Sequence, residues 1–142
     1  MFLKQKECRG RNGMYTNQLA EYSKVQKAAM SDRELEASVL TKAALKLKNC
    51  QKNWNDEDFP KLERALRFNQ LIWSIFQGEL IKNENTLPKQ LKENLLSLSV
   101  FIDKQTFNIM AYPSPEKLTV IININLNIAA GLKEKQQSDL TQ

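Results

Sequence analysis

The stretch from Phe59 to Ile81 constrains this chain more than any other. Leu62, Ala65, Leu66, Asn69, Ile72, Trp73, Phe76 and Leu80 recur every three or four residues, which places them on one side of an α-helix. Phe68, Leu71 and Ile75 fall on another side, so the apolar surface wraps well past the roughly 100° stripe of an ordinary surface helix. A helix of that kind sits at the centre of a bundle or keeps part of its face for a partner. Asp58 and Pro60 mark its start, with a carboxylate beside the orphan amides and a ring whose missing N–H costs nothing in the first turn.

The neighbouring segments carry the same period. Ser31-Asp32-Arg33-Glu34 reads as a capping box, after which Leu35, Val39, Ala43, Leu47, Cys50 and Trp54 form a single stripe. Upstream, Leu19, Tyr22, Val25 or Gln26, and Ala29 predict a helix from Tyr15 to about Met30. Thr86-Leu87-Pro88 starts a further helix with Pro88 in its first turn. Its inner face is Leu91, Leu95, Leu98, Ile102 and Ile109, widened by Leu96, Val100, Phe101 and Phe107. Tyr112-Pro113 ends it, because a residue before proline avoids the helical region.

Ile122 to Ile128 alternates apolar residues with asparagine, which locally reads as a half-buried strand. The wider window favours helix. Ser114-Pro115 is a good start, and Leu118, Ile121, Ile122, Asn125, Ile128, Ala129 and Leu132 keep helical spacing up to Gly131. A lone strand would have no sheet to satisfy its backbone groups. The fold expected is all-α, a single bundle of about five helices. Residues 14–132 form the domain, residues 1–13 are a disordered extension or follow a mis-assigned upstream start, and residues 133–142 are a frayed polar end.

Composition removes most enzymes. With no histidine among 142 residues, Ser-His-Asp and Cys-His pairs and histidine-bearing zinc sites are unavailable. Four glycines, two of them in the first 13 residues, are too few and too scattered for a phosphate-binding loop. Asn53 to Asp58 has the acids of a calcium loop but no glycine at the sixth position, and Arg64 stands where the bidentate Glu belongs. No catalytic residue, cofactor or metal site is expected.

The net charge of +5 is unevenly held. Lys4, Lys6, Arg9 and Arg11 against Glu7 account for +3 within residues 1–13, leaving +2 for the rest. Lys42, Lys46, Lys48 and Lys52 form the one remaining basic stretch, most simply a solvated helix face. Cys8 lies in the extension and Cys50 on a helical core stripe, so a disulfide framework is not expected and a reducing compartment is. No secretory h-region follows the basic start, and no run approaches the ~18 apolar residues of a membrane helix. A cytoplasmic protein without membrane insertion is the expectation.

Four segments together carry a family resemblance: Ser31 to Ala44 (SDRELEASVLTKAA), Ala65 to Gln77 (ALRFNQLIWSIFQ), Asn94 to Asp103 (NLLSLSVFID) and Ile122 to Leu132 (ININLNIAAGL). With the opening Met14-Tyr15 and the Met110-Ala-Tyr-Pro113 turn, they resemble the flagellar biosynthesis protein FlaF of alphaproteobacteria, over Met14 to about Leu132. The resemblance implies a non-enzymatic, all-helical cytoplasmic protein needed for flagellum assembly. It implies association with flagellin production and export alongside the regulator FlbT, and a flagellin-chaperone role. It brings no catalytic residue.

Two mechanisms fit. A chaperone would hold an amphipathic terminal helix of flagellin against an apolar face, and Phe68, Leu71, Trp73 and Phe76 are the candidate contacts, because large aromatics concentrate interface energy. Asn69 and Asn125 join them because they interrupt apolar faces, where a buried amide needs a partner inside or outside the chain. Core packing is the commoner use of each such residue taken singly. The alternative is a post-transcriptional regulator acting on flagellin messenger RNA directly or through FlbT. Direct contact would need a basic surface with stacking aromatics, and Lys42 to Lys52 has no interleaved aromatic apart from Trp54 at its end.

Overall fold

The computed structural model describes the backbone of residues 32–141 and the side chains of residues 32–134. Within them the chain forms α1 (Asp32–Lys52), α2 (Phe59–Leu80), α3 (Lys89–Ala111), a single 3-10 turn (Pro115–Lys117) and α4 (Leu118–Thr141). The helix expected from Tyr15 to Met30, the residue Ser31 of the capping box, the extension 1–13 and Cys8 lie outside the described residues. The all-α class holds, with four α-helices and no strand among the described residues.

Each helix begins and ends for a local reason. Asp58 caps α2, its Oδ1 accepting from the Lys61 N–H at 3.3 Å, with Pro60 in the first turn. Asn55 accepts from the Glu57 N–H at 2.9 Å, and the Trp54 indole donates to Asp56 at 2.6 Å, so the Asn53 to Asp58 segment is spent on turn and cap. Pro88 stands one position earlier than expected, as the N-cap of α3, where its carbonyl accepts from the Lys92 N–H at 3.0 Å. Tyr112 ends α3 at φ −136°, the extended backbone that Pro113 demands.

The region expected to alternate is helix. Asn123 and Asn127 are four residues apart and share the solvent side of α4, while Ile121, Ile122, Asn125 and Ala129 turn inward. Two boundaries differ from expectation. Gly131 does not stop α4, and the polar end expected to fray continues the helix to Thr141. Ser114 starts a 3-10 turn and gives its hydroxyl to the Glu116 carboxylate instead of to the backbone.

In the bundle α1 packs on both α4 and α2, and α2 also supports α3. The α1–α4 interface is the most extensive, because Ala37, Ala43 and Ala44 are fully or almost fully buried on α1 and let the two backbones approach closely. Two apolar clusters fill the interior. One joins Leu35, Leu40, Ile72, Trp73, Ile102 and Ala129; the other joins Leu47, Leu62, Leu66, Ile109, Leu118 and Ile121.

Buried polar residues separate the clusters on three helices: Asn69 on α2, Thr106 on α3 and Asn125 on α4. The Trp73 indole N–H donates to Asn125 Oδ1 at 3.0 Å, and Asn125 Nδ2 donates to Asn69 Oδ1 at 2.6 Å and to the Leu40 carbonyl at 3.3 Å. Thr106 Oγ1 donates to the Ile102 carbonyl at 2.7 Å. Asn69 Nδ2 finds no partner among the described residues.

Candidate functional site

The path of α3 opens the site. At its C-terminal end α3 is tied to the start of α4 by the short 112–117 connection, where Gln105 Nε2 donates to the Lys117 carbonyl at 3.3 Å. Elsewhere α3 leans on α2 and scarcely touches α4. The N-terminal half of α3 and the C-terminal half of α4 therefore flank a groove of about 590 Å³. Its floor is Leu40, Trp73, Phe76 and Leu80; its walls are Leu87, Leu91 and Leu95 on one side, with Ile128, Gly131 and Leu132 on the other. Trp73 and Phe76 meet edge to face, ring centroids 6.2 Å apart at 79°.

The α2–α3 loop closes one end of the groove and is fixed by Asn85, whose Nδ2 donates to the Glu79 carbonyl at 3.1 Å while its Oδ1 accepts from the Leu87 N–H at 3.0 Å. That second bond holds Leu87 against the wall. Among the described residues the rim carries Asp32, Glu36, Glu79 and Glu84 together with Arg33, and Glu79 is paired with Lys82 Nζ at 3.3 Å. Burial pushes the Glu36 carboxyl above the usual range; Arg33 opposes that shift, and Asp32 and Glu79 add to it.

The sequence-derived candidates divide. Trp73 and Phe76 are brought to the groove, Trp73 as a buried floor residue with its N–H already committed to Asn125. Phe68, Asn69 and Asn125 are buried away from it, and the two amides pair with each other within the core. Leu71 is half-buried against the same cluster and does not line the groove. The correction has a simple cause: most of the wide apolar surface of α2 packs against α1 and α3, and Phe68, Ile72 and Trp73 join a cluster that includes Ala129 of α4.

The unspent apolar surface belongs to α3. Leu91, expected on the inner face, is exposed at the groove, and Leu95 is half-buried there, because of the expected inner-face residues only Leu98, Ile102 and Ile109 reach the core. On its outer side Val100, Phe101 and Phe107 are exposed, Phe107 by 65%. The i, i+4, i+8 spacing of Leu87, Leu91 and Leu95 was the sequence signal for the groove wall.

The basic stretch gains an aromatic that the sequence did not place beside it. Lys42 and Lys46 of α1 stand over the Phe68 ring, Nζ to centroid 6.0 and 5.1 Å. Phe68 is only 8% exposed beneath them, so the ring offers no face for a base to stack on. Cys50 is buried and free, its Sγ donating to the Lys61 carbonyl at 3.8 Å, and burial raises its pKa.

The described residues thus form a helical bundle with a leucine-walled groove and hold no cluster of metal-ligating side chains. The model of the family described as flagellar protein FlaF matches residues 18–132, which spans all of α1, α2 and α3 and most of α4. The chain belongs to the FlaF family. No curated protein and no solved structure matches this FlaF chain. The matched range reaches upstream of α1, into residues 18–31, so the FlaF unit includes chain that precedes the described bundle. Among the described residues of this flagellar protein, no helix is long and apolar enough to cross a membrane.

Proposed function

We propose that this flagellar protein acts without catalysis, as a cytoplasmic chaperone that takes an amphipathic terminal helix of flagellin into the groove between α3 and α4. The observation that carries the reading is the groove itself: about 590 Å³, with an apolar floor and walls and a charged rim. Helix-in-groove recognition needs a rigid support and a row of apolar contacts at one-turn spacing. Leu91 and Leu95, one turn apart on α3, with Leu87 of the preceding loop beside them, provide that row, and the packed Trp73 and Phe76 provide the support. Before polymerisation the terminal helices of a filament subunit have no neighbour to cover their apolar faces, and binding them here would prevent premature assembly and leave the subunit ready for export. Effects on flagellin synthesis, including any that run through FlbT, would then follow from the amount of flagellin left free.

Co-expression of the full chain with flagellin and with FlbT, followed by size-exclusion chromatography at low and high salt, tests this. The expected result is a flagellin complex that survives salt, since apolar contacts are not screened, and that is lost in Leu91→Glu or Leu95→Glu while the helical content of the chain is kept. Absence of co-elution with flagellin and with its isolated terminal segments would overturn the proposal. Salt-sensitive capture of the transcript by the same chain would move the reading to the messenger RNA.

A further inference from the structure

The outer side of α3 carries a second apolar surface, turned away from the groove. Leu96, Val100 and Phe107 lie along one line of the helix, Val100 45% and Phe107 65% exposed, while Leu91 and Leu95 line the groove on the opposite side. Lys89 stands on the same line, two turns before Leu96. Charges flank the line, Lys92 and Asp103 along one edge and Glu93 and Lys104 along the other, each pair eleven residues or about three turns apart. Among the described residues none of these five charged side chains has an ion-pair partner.

Such a face is complementary to itself. When α3 is laid antiparallel on a second copy, with the two-fold axis at the level of Leu98, each edge meets the same edge of the other copy, because that axis runs across the helices without exchanging their sides. Lys92 then faces Asp103 of the second copy and Glu93 faces its Lys104, and the symmetry makes each contact twice. On the central line Leu96 packs on Val100, and the Lys89 ammonium comes over the exposed Phe107 ring. A parallel pairing would instead oppose Lys89 to Lys89 on that line and align the two helix dipoles.

We propose that a second copy of this chain covers the outer face of α3, through an antiparallel pairing of Lys89 to Phe107 centred on Leu98. The paired stretch is about 27 Å long and one helix wide, which places it among the small interfaces, so the dimer forms and dissociates with concentration. The pairing does not use the groove and stands apart from the proposed chaperone function.

Sedimentation velocity of the full chain over a range of concentrations, in reducing buffer, tests the pairing. The expected result is a monomer–dimer equilibrium that Val100→Glu abolishes while helicity is kept. Lys104→Glu sets two carboxylates against each other twice and should raise the dimer dissociation constant about tenfold; adding Glu93→Lys to it should restore the dimer. The register is read by oxidation in a Cys8→Ser background, Cys50 being buried. Ser97→Cys lies beside the axis and should give a disulfide-linked dimer, whereas Ala111→Cys, about 39 Å from its own copy, should not. A chain that stays monomeric at every concentration overturns the proposal, as does a dimer that Val100→Glu leaves intact. Failure of the charge swap to restore pairing, or cross-linking through Ala111→Cys in place of Ser97→Cys, overturns the antiparallel register. A monomer from which Val100→Glu releases a different protein gives the face to that protein instead.

Discussion

Asn125 holds three helices at one point. Its side chain accepts from Trp73 on α2 and donates to Asn69 on α2 and to the Leu40 carbonyl on α1. Asn125→Leu strips the indole N–H and Asn69 Oδ1 of partners in a dry interior, and the expected loss is about 2–4 kcal/mol in urea unfolding. Asn69→Leu should cost about 1 kcal/mol or less, because Asn125 Nδ2 keeps the Leu40 carbonyl and the orphaned Asn69 Nδ2 disappears with the mutation. Equal losses for the two would show that Asn125 is not the hub. At Glu36 the folded chain holds the proton more tightly than the unfolded chain, so stability is greatest below the ordinary carboxylate pKa and falls as pH rises through the raised value. Glu36→Gln should remove that fall, read as unfolding midpoints that no longer drop across the acid-to-neutral window. The presence of amides on apolar faces was legible in the sequence. Their mutual pairing was not, because it joins residues 56 positions apart.

At the level of the helices, local signals placed most boundaries. Proline, cap and period predicted α2 and α3 to within a residue or so, since each signal acts within a turn of the residue that carries it. Asp58→Ala should therefore cost about 1 kcal/mol through its lost cap bond. Gly78 lies inside α2 with nothing near the position of a Cβ, so Gly78→Ala should stabilise the chain by roughly 0.5–1 kcal/mol, measured as a higher unfolding midpoint. The α4 segment shows where local signals mislead. Its alternation of isoleucine and asparagine is compatible with either period, and the tertiary environment decides: α1 offers a continuous small-residue surface that only a helical α4 can use. Gly131 failed as a stop for a related reason, because a glycine ends a helix only when the chain turns there, and α4 has nothing at that point to turn it.

Across the whole molecule, the sequence by itself determined an all-helical chain, the start of each described helix to within a few residues, the absence of histidine chemistry, and the concentration of positive charge before α1. These are properties of composition or of residues within a few turns of one another. Which apolar faces would be spent was decided by the tertiary structure alone. The period of α2 and α3 shows that both helices carry more apolar surface than a stripe, yet α2 packs between α1 and α3 and reaches Asn125 of α4 through Trp73, whereas α3 leans mainly on α2. Burial depends on what lies opposite a face, and what lies opposite is set by the short 112–117 connection that pins one end of α3 to α4 and leaves the other end open. The groove between the N-terminal half of α3 and the C-terminal half of α4 follows from that constraint.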